Sequence, residues 1–219
     1  MNKFPVKNMF DNIAGYYDVM NNIISLGTDK IIKKKSIKLL GICNKAIILD
    51  LCTGTGDLAK IIQALHLNVK ITAVDFSKNM LDIAQKKVTD VEFIEADATN
   101  LPLQDNYFDF ITISYGLRNI ADKEKAILEM YRVLKAGGKI LHLDFGKKNL
   151  PGKIFEFFVP YLAKLLGKDY GSYRYLVQSK RSFFEPKELI KKFEKNNFRL
   201  IKRKDFMFKS ISAQVYQKI

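Results

Sequence analysis

Tryptophan is absent from this chain, and cysteine and histidine are nearly so, with two of each among 219 residues. Cys43 and Cys52 stand nine residues apart with no histidine near either, a spacing that suits neither a zinc site nor a disulfide framework. His66 and His142 are too isolated to suggest a metal centre, so no metal is expected and a reducing cytoplasm is the default compartment. No apolar run approaches the roughly 18 residues of a membrane span, and the N-terminus does not read as a signal peptide. Internal repeats and low-complexity linkers are also missing, which leaves a single domain long enough to bury a substantial core.

Positive charge is abundant and unevenly spread. Residues 1–144 carry 19 Lys/Arg against 17 Asp/Glu, whereas residues 145–219 carry 18 against 6. Two readings stand side by side: attraction to a polyanion or an anionic membrane face, or a lysine-rich decoration of solvated surfaces. The basic third holds no recognisable nucleic-acid motif, so no nucleic-acid partner is expected.

The run Ile47-Ile-Leu-Asp-Leu-Cys-Thr-Gly-Thr-Gly-Asp57, answered by Ile71-Thr-Ala-Val-Asp-Phe-Ser77, reads as strand, glycine turn, helix start and a second strand ending in a carboxylate. Gly54 and Gly56 let the backbone turn tightly and a ligand approach closely, with the free N–H groups of the next helix facing it. Asp75 can accept from both hydroxyls of a ribose. Gly54 to Ala59 also fits the dinucleotide fingerprint, so a nicotinamide-dependent oxidoreductase and an S-adenosylmethionine (SAM) methyltransferase start level.

The rest of the chain separates them. Residues Val6–Leu40 read as helical with a break at Ser25–Thr28, and from Ala46 onward strands and helices alternate. Strands are expected at Ile47–Leu51, Val69–Asp75, Val91–Glu95, Phe108–Tyr115 and Lys139–Phe145. A helix over Lys123–Leu134 should end at Ala136-Gly-Gly138. Arg199–Phe206 and Ile211–Tyr216 form a hairpin, which adds an antiparallel strand to an otherwise parallel sheet. The fold is therefore α/β: a Rossmann-like, seven-stranded, mostly parallel sheet with a C-terminal antiparallel hairpin and an N-terminal helical lid. This is the plan of the SAM-dependent methyltransferases. The expected division of the one domain, residues 1–219, is a lid (1–40), a SAM-binding core (41–145), and a lid insertion with the closing hairpin (146–219).

Asp97 and Ala98 follow the third strand, where a short polar residue can bond an adenine while alanine leaves room for its ring. Ser114-Tyr-Gly-Leu-Arg-Asn119 follows at the height of a methyl group. Taken together, Met9-Phe-Asp-Asn-Ile-Ala14, Tyr17-Asp-Val-Met-Asn21, Asp50–Ala59, Asp75-Phe-Ser77, Ala96-Asp-Ala98, Ile113-Ser-Tyr-Gly-Leu-Arg-Asn119, Glu129–Lys135 and Tyr173-Arg-Tyr-Leu-Val177 resemble the ubiquinone/menaquinone biosynthesis C-methyltransferases. The Gly-Leu-Arg-Asn and Tyr-Asp-x-Met-Asn elements are more specific than the glycine loop. Tyr131-x-x-x-Lys135 mimics a dehydrogenase pair by coincidence.

The resemblance implies SAM as methyl donor, contacted by Thr55, Asp75, Asp97, Ala98 and Ser114, and methylation of a ring carbon of demethylmenaquinol or the equivalent polyprenyl benzoquinol. Asp144, His142 and Tyr17 are candidates for the base; Arg118 either stabilises a phenolate or pairs with a lid carboxylate such as Asp18. Ile154–Leu166, rich in large apolar groups and flanked by lysines, either lines the entry of the isoprenoid tail at an anionic membrane or packs as an ordinary lid helix; Pro160 argues for a kink or two short helices. The chain departs from the family in Ile31 and Ile32, in His142-Leu-Asp144, in Gln178-Ser-Lys180 and in a hairpin without glycine. Expected partners are the quinol lipid and the inner face of an anionic membrane touched peripherally, with a homodimer left open. Another small-molecule methyltransferase and a non-catalytic SAM-binding module remain the alternatives.

Overall fold

The computed structural model describes residues 3–66 and 68–219. Seven strands form one sheet in the order β3-β2-β1-β4-β5-β7-β6. They are β1 (Ile47–Leu51), β2 (Lys70–Asp75), β3 (Val91–Glu95), β4 (Phe108–Ser114), β5 (Leu134–Phe145), β6 (Phe198–Phe206) and β7 (Ile211–Lys218). Strands β1 to β5 run parallel, and β7 enters antiparallel between β5 and β6. The expected fold is thus observed. Strand order reverses between β1 and β4, which opens a crevice at their C-terminal ends.

Strand residues alternate between two buried faces. Leu49, Leu51, Ile111, Ile113 and Ile140 face the helices α6 (Lys123–Val133) and α9 (Pro186–Lys195), with Phe193 stacked on Tyr216 at 4.0 Å between ring centroids. Ile48, Ile71, Leu141 and Leu143 face α3 (Thr28–Leu40) and α4 (Asp57–Leu65). Helix α5 (Lys78–Lys87) packs on β2 and β3, and outside these layers lie α1 (Lys3–Ile13), α2 (Tyr17–Ile24), α7 (Leu150–Leu165) and α8 (Tyr170–Ser182).

Three local expectations are corrected. The N-terminal helix is interrupted a second time, by a 3₁₀ turn at Ala14–Tyr16, where Gly15 weakens the helix and Tyr16 leaves helical geometry with φ −127°. Gly137 and Gly138 do not stop a helix. Helix α6 ends at Val133, and Leu134 is drawn into β5 opposite Phe108, both fully buried. The glycines instead absorb a register shift: Gly137 has φ +72°, and a side chain at Gly138 would strike Leu134 at 2.8 Å. Helix α7 runs through Pro160 unbroken, held on the turns either side by buried Val159 and Ala163.

Candidate active site

Asp50, near the C-terminal end of β1, is fully buried, and its two oxygens accept hydroxyl hydrogen bonds from Thr53 and Thr112, each at 2.6 Å. Burial pushes this carboxyl up to about 6, against the pull of both threonines. These bonds tie the loop after β1 to β4 across the crevice. The loop then turns through left-handed conformations at Cys52 (φ +55°), Gly54 (φ +57°) and Gly56 (φ +78°). At Gly56 a Cβ would meet that of Ala84 at 3.0 Å, whereas Gly54 faces open space. Gly116 lies closer still, since a Cβ there would sit 2.4 Å from that of Cys52.

Asp75 completes the floor. Gly54 N–H donates to its Oδ2 at 2.8 Å and Ser77 N–H to its Oδ1 at 3.0 Å, which leaves each oxygen further acceptor capacity. Burial pushes Asp75 up to about 6, opposed by these backbone N–H groups. Asp97 accepts from Thr99 N–H at 2.9 Å in the turn after β3. Ser114 ends β4 with its Oγ buried and bonded to no protein atom.

Gly54, Asp75, Asp97, Ala98 and Ser114 line one cavity of about 290 Å³. Its opposite wall comes from the lid, through Val6, Lys7, Phe10 and Tyr17. Phe10 packs edge-on against both Tyr17 and Phe76, with ring centroids 6.3 and 6.1 Å away. An acceptor pair beside a glycine turn, an orphaned hydroxyl and an aromatic lid fit a nucleoside with a polar tail.

The other expected residues lie outside that wall. Thr55 is buried and donates to Asp18 Oδ1 at 2.5 Å, and Gly56 serves the packing against α5. Arg118 does not pair with Asp18. Its Nη1 donates to Asp144 Oδ1 at 2.9 Å and to the Tyr115 carbonyl at 2.6 Å, and its guanidinium lies over the rings of Tyr115 and Phe145. Asp144 is fully buried, with Phe145 N–H on the same oxygen. His142 shares that face of β5 but sits among Phe183 and Phe193, and burial lowers it to about 4, leaving a neutral ring. Tyr131 and Lys135 are remote, bonded to Ile219 and Asp109.

The profile of the ubiE/COQ5 methyltransferase family matches residues 1–217. The chain belongs to this family. A relative from Thermotoga maritima named demethylmenaquinone methyltransferase is 38% identical over 197 residues, spanning 87% of this chain and 86% of its own. Another, from Francisella tularensis subsp. novicida and named ubiquinone/menaquinone biosynthesis C-methyltransferase UbiE, is 41% identical over 189 residues, 80% of this chain and 76% of its own. Among solved structures, SAM-dependent methyltransferases from Thermotoga maritima (TM-score 0.71, 21% identity, 97% of this chain and 99% of that one) and Aquifex aeolicus (0.68, 17%, 92% and 98%) share the fold.

For a ubiE/COQ5-family methyltransferase, several wall residues escaped sequence reasoning. Phe10 and Phe76 stood inside matched motifs without a role, and nothing marked Lys7, whose ammonium bonds the Phe76 carbonyl at 2.7 Å and Glu95 at 2.8 Å. Tyr115, inside the Ser114–Asn119 motif, has a left-handed backbone (φ +54°) that marks a constrained turn and that no residue pattern announces.

The buried Arg118–Asp144 pair generates a stability prediction. Asp144→Asn leaves Arg118 buried without a counter-charge, which costs about 3–5 kcal/mol and should lower the melting temperature by roughly 10 °C. Thermal denaturation followed by circular dichroism checks this; a shift of only a degree or two would mean that the guanidinium is satisfied without the carboxylate.

Proposed function

We propose that this methyltransferase moves the methyl group of SAM to a ring carbon of demethylmenaquinol or the equivalent polyprenyl benzoquinol. The observation that carries the reading is the cavity itself: an acidic, glycine-turned floor at the strand switch point facing an aromatic lid, in a chain whose relatives bear quinone-biosynthesis names. Gly54 and Gly56 shape the turn that receives the amino-acid end of SAM, and Thr55 braces it. Asp75 takes the ribose hydroxyls, Asp97 and Ala98 take the adenine, and Ser114 Oγ lies at the methyl end.

When bound, SAM supplies an electrophilic methyl group on a good leaving group, so the protein's task is chiefly positioning and electrostatics. Tyr17 is the one expected catalytic side chain on the cavity wall, and we assign it contact with the quinol ring. Arg118 and Asp144 work from behind, fixing the Tyr115 carbonyl and thereby the turn that carries Gly116 and Asn119.

An isoprenoid tail has to leave the cavity toward lipid. Leu150, Ile154, Phe157, Phe158, Tyr161 and Leu165 recur at i, i+4, i+7, i+8, i+11 and i+15 along α7 and are all exposed, while Val159 and Ala163 on the other side are buried. The β6–β7 tip continues this stripe: Phe208 is 86% exposed, and its carbonyl is bonded by Asn149 at the start of α7. Lys147, Lys148, Lys153 and Lys164 are exposed around it, and Glu156 is already paired with Lys180 and Arg181. No described helix is long and apolar enough to cross a membrane. Peripheral docking on an anionic bilayer fits this face, and a second copy would set lysines against lysines.

Three measurements test the reading. Incubation with methyl-labelled SAM and reduced demethylmenaquinone, beside the demethylated benzoquinol, should label one of the two lipids. Label in neither, with SAM still bound, would sink the substrate assignment and favour another methyl acceptor or a binding module. S-adenosylhomocysteine affinity should rise with pH through about 6 and then level, because ribose hydroxyl donors favour ionised Asp75; Asp75→Asn should abolish the rise in calorimetric titrations. Co-sedimentation with phosphatidylglycerol vesicles should be strong at low salt and lost in Phe157→Ser/Phe208→Ser; equal pelleting of this variant would move docking elsewhere.

A further inference from the structure

We propose that Asp18 and Lys87 form a latch that couples the N-terminal helices to the cofactor loop and so sets how tightly the nucleoside co-substrate is held. The inference rests on the reading above that the cavity takes SAM. Both are positioning residues; neither lines that cavity.

Among the described residues, the polar contacts that α1 and α2 make beside the cavity fall on Thr55, on Phe76, Ser77 and Asn79, and on Glu95. Lys7 bonds the Phe76 carbonyl and Glu95, and Asp11 accepts from Ser77 Oγ at 2.5 Å. Asp18 is the hub on α2. Its Oδ1 accepts from Thr55 inside the glycine loop at 2.5 Å, and its Oδ2 is paired with Lys87 of α5. Lys87 also holds Asp57, the first residue of α4, at 2.8 Å. Asp57 is in turn 3.4 Å from Lys33, which pairs with Asp29 at 2.6 Å. One side chain thus pins the lid to the loop, to α5 and, through Lys87, to the helix that follows the loop.

Little apolar packing competes with this hub. Among the described residues, α1 and α2 join the rest of the molecule through the Phe10–Phe76 contact and two small clusters, Ile13 and Ala14 against Met80, and Met20 against Val159, Ala163 and Tyr173, apart from both main cores. A ligand in the cavity touches Gly54 and Asp75 on one side and Phe10 and Tyr17 on the other, so it binds the seated lid better than the unseated one. The seated fraction then multiplies its affinity, and whatever holds Asp18 in place holds the ligand.

The charges make the two partners unequal. Three carboxylates (Asp18, Asp29, Asp57) share two ammoniums (Lys33, Lys87). Removing Asp18 leaves a balanced cluster in the core and subtracts only the lid's attachment. Removing Lys87 leaves Asp18 and Asp57 without their common counter-charge and adds repulsion across the seam.

The test is the affinity and dissociation rate of S-adenosylhomocysteine, measured by calorimetry and stopped-flow on the whole chain. Asp18→Ala should weaken binding about fivefold, mostly through faster release, as expected for a charged hydrogen bond discounted for partial exposure. Lys87→Met should weaken it further, and the double variant by less than the two effects combined. S-adenosylhomocysteine carries no net charge near neutral pH, so salt reaches it chiefly through the lid's ion pairs: added salt should speed release from the wild type more than from Asp18→Ala, which keeps the Lys7–Glu95 pair. A salt-independent wild-type rate, or the same release rate in Asp18→Ala, would overturn the latch. A wild type that binds neither S-adenosylhomocysteine nor SAM would overturn the cofactor reading with it.

Discussion

The carboxylate of Asp50 carries more of this site than any group that faces the cavity. It lies where β1 and β4 diverge, and the two threonine hydroxyls on it come from opposite sides of that divergence. A parallel sheet opens a crevice where its strand order reverses, yet the crevice alone has no shape. Asp50 gives it one by holding Thr53, and thus the start of the glycine turn, at a fixed distance from β4. Gly54 can then present its N–H to Asp75, and Gly116 can pass within contact of Cys52. Burying a carboxyl at that junction raises its proton affinity, and two short hydroxyl bonds keep the cost tolerable.

The floor built on Asp50 carries two acids of its own, Asp75 and Asp97, among apolar groups. Burial pushes the Cys52 thiol well up, and Asp75, Asp50 and Asp97 push it further in the same direction. Such a floor repels anions and favours a ligand with a positive centre, which suits a sulfonium and an ammonium better than the pyrophosphate of a dinucleotide. The glycine fingerprint alone could not make that distinction, because both ligand classes need the same tight turn. The difference lies in what surrounds the turn: three acids here, where a dinucleotide site leaves room and N–H groups for phosphate.

Much of this was legible in the sequence. Buried runs such as Phe108–Ser114 and the glycine turn announce themselves through local pattern, and the closing hairpin identifies the sheet. The motif residues Gly54, Asp75, Asp97, Ala98 and Ser114 do converge on one cavity. What stayed hidden depends on long-range partners. Arg118 reads equally as a free cation or a lid ion pair until β5 brings Asp144 beside it. Gly137-Gly138 reads as a helix stop because the pull of Phe108 on Leu134 comes from a strand 26 residues earlier. Thr55 looks like a ligand contact, and only the lid's position turns its hydroxyl toward Asp18.

Helix α2 shows how a short motif can be specific without being catalytic. Successive residues of a helix point about 100° apart, so Asp18 faces away from both Tyr17 and Met20, which lie three apart on the neighbouring side. Tyr17 enters the cavity wall, Asp18 meets the glycine loop and Lys87, and Met20 is buried against α7 and α8. Val19, the position between Asp18 and Met20, is 61% exposed. One helix of eight residues therefore touches the cavity, the loop beneath it and the outer layer that bears the exposed apolar stripe. Met20 and Asp18 stand two residues apart, so the outer layer and the glycine loop are joined through about half a turn of helix.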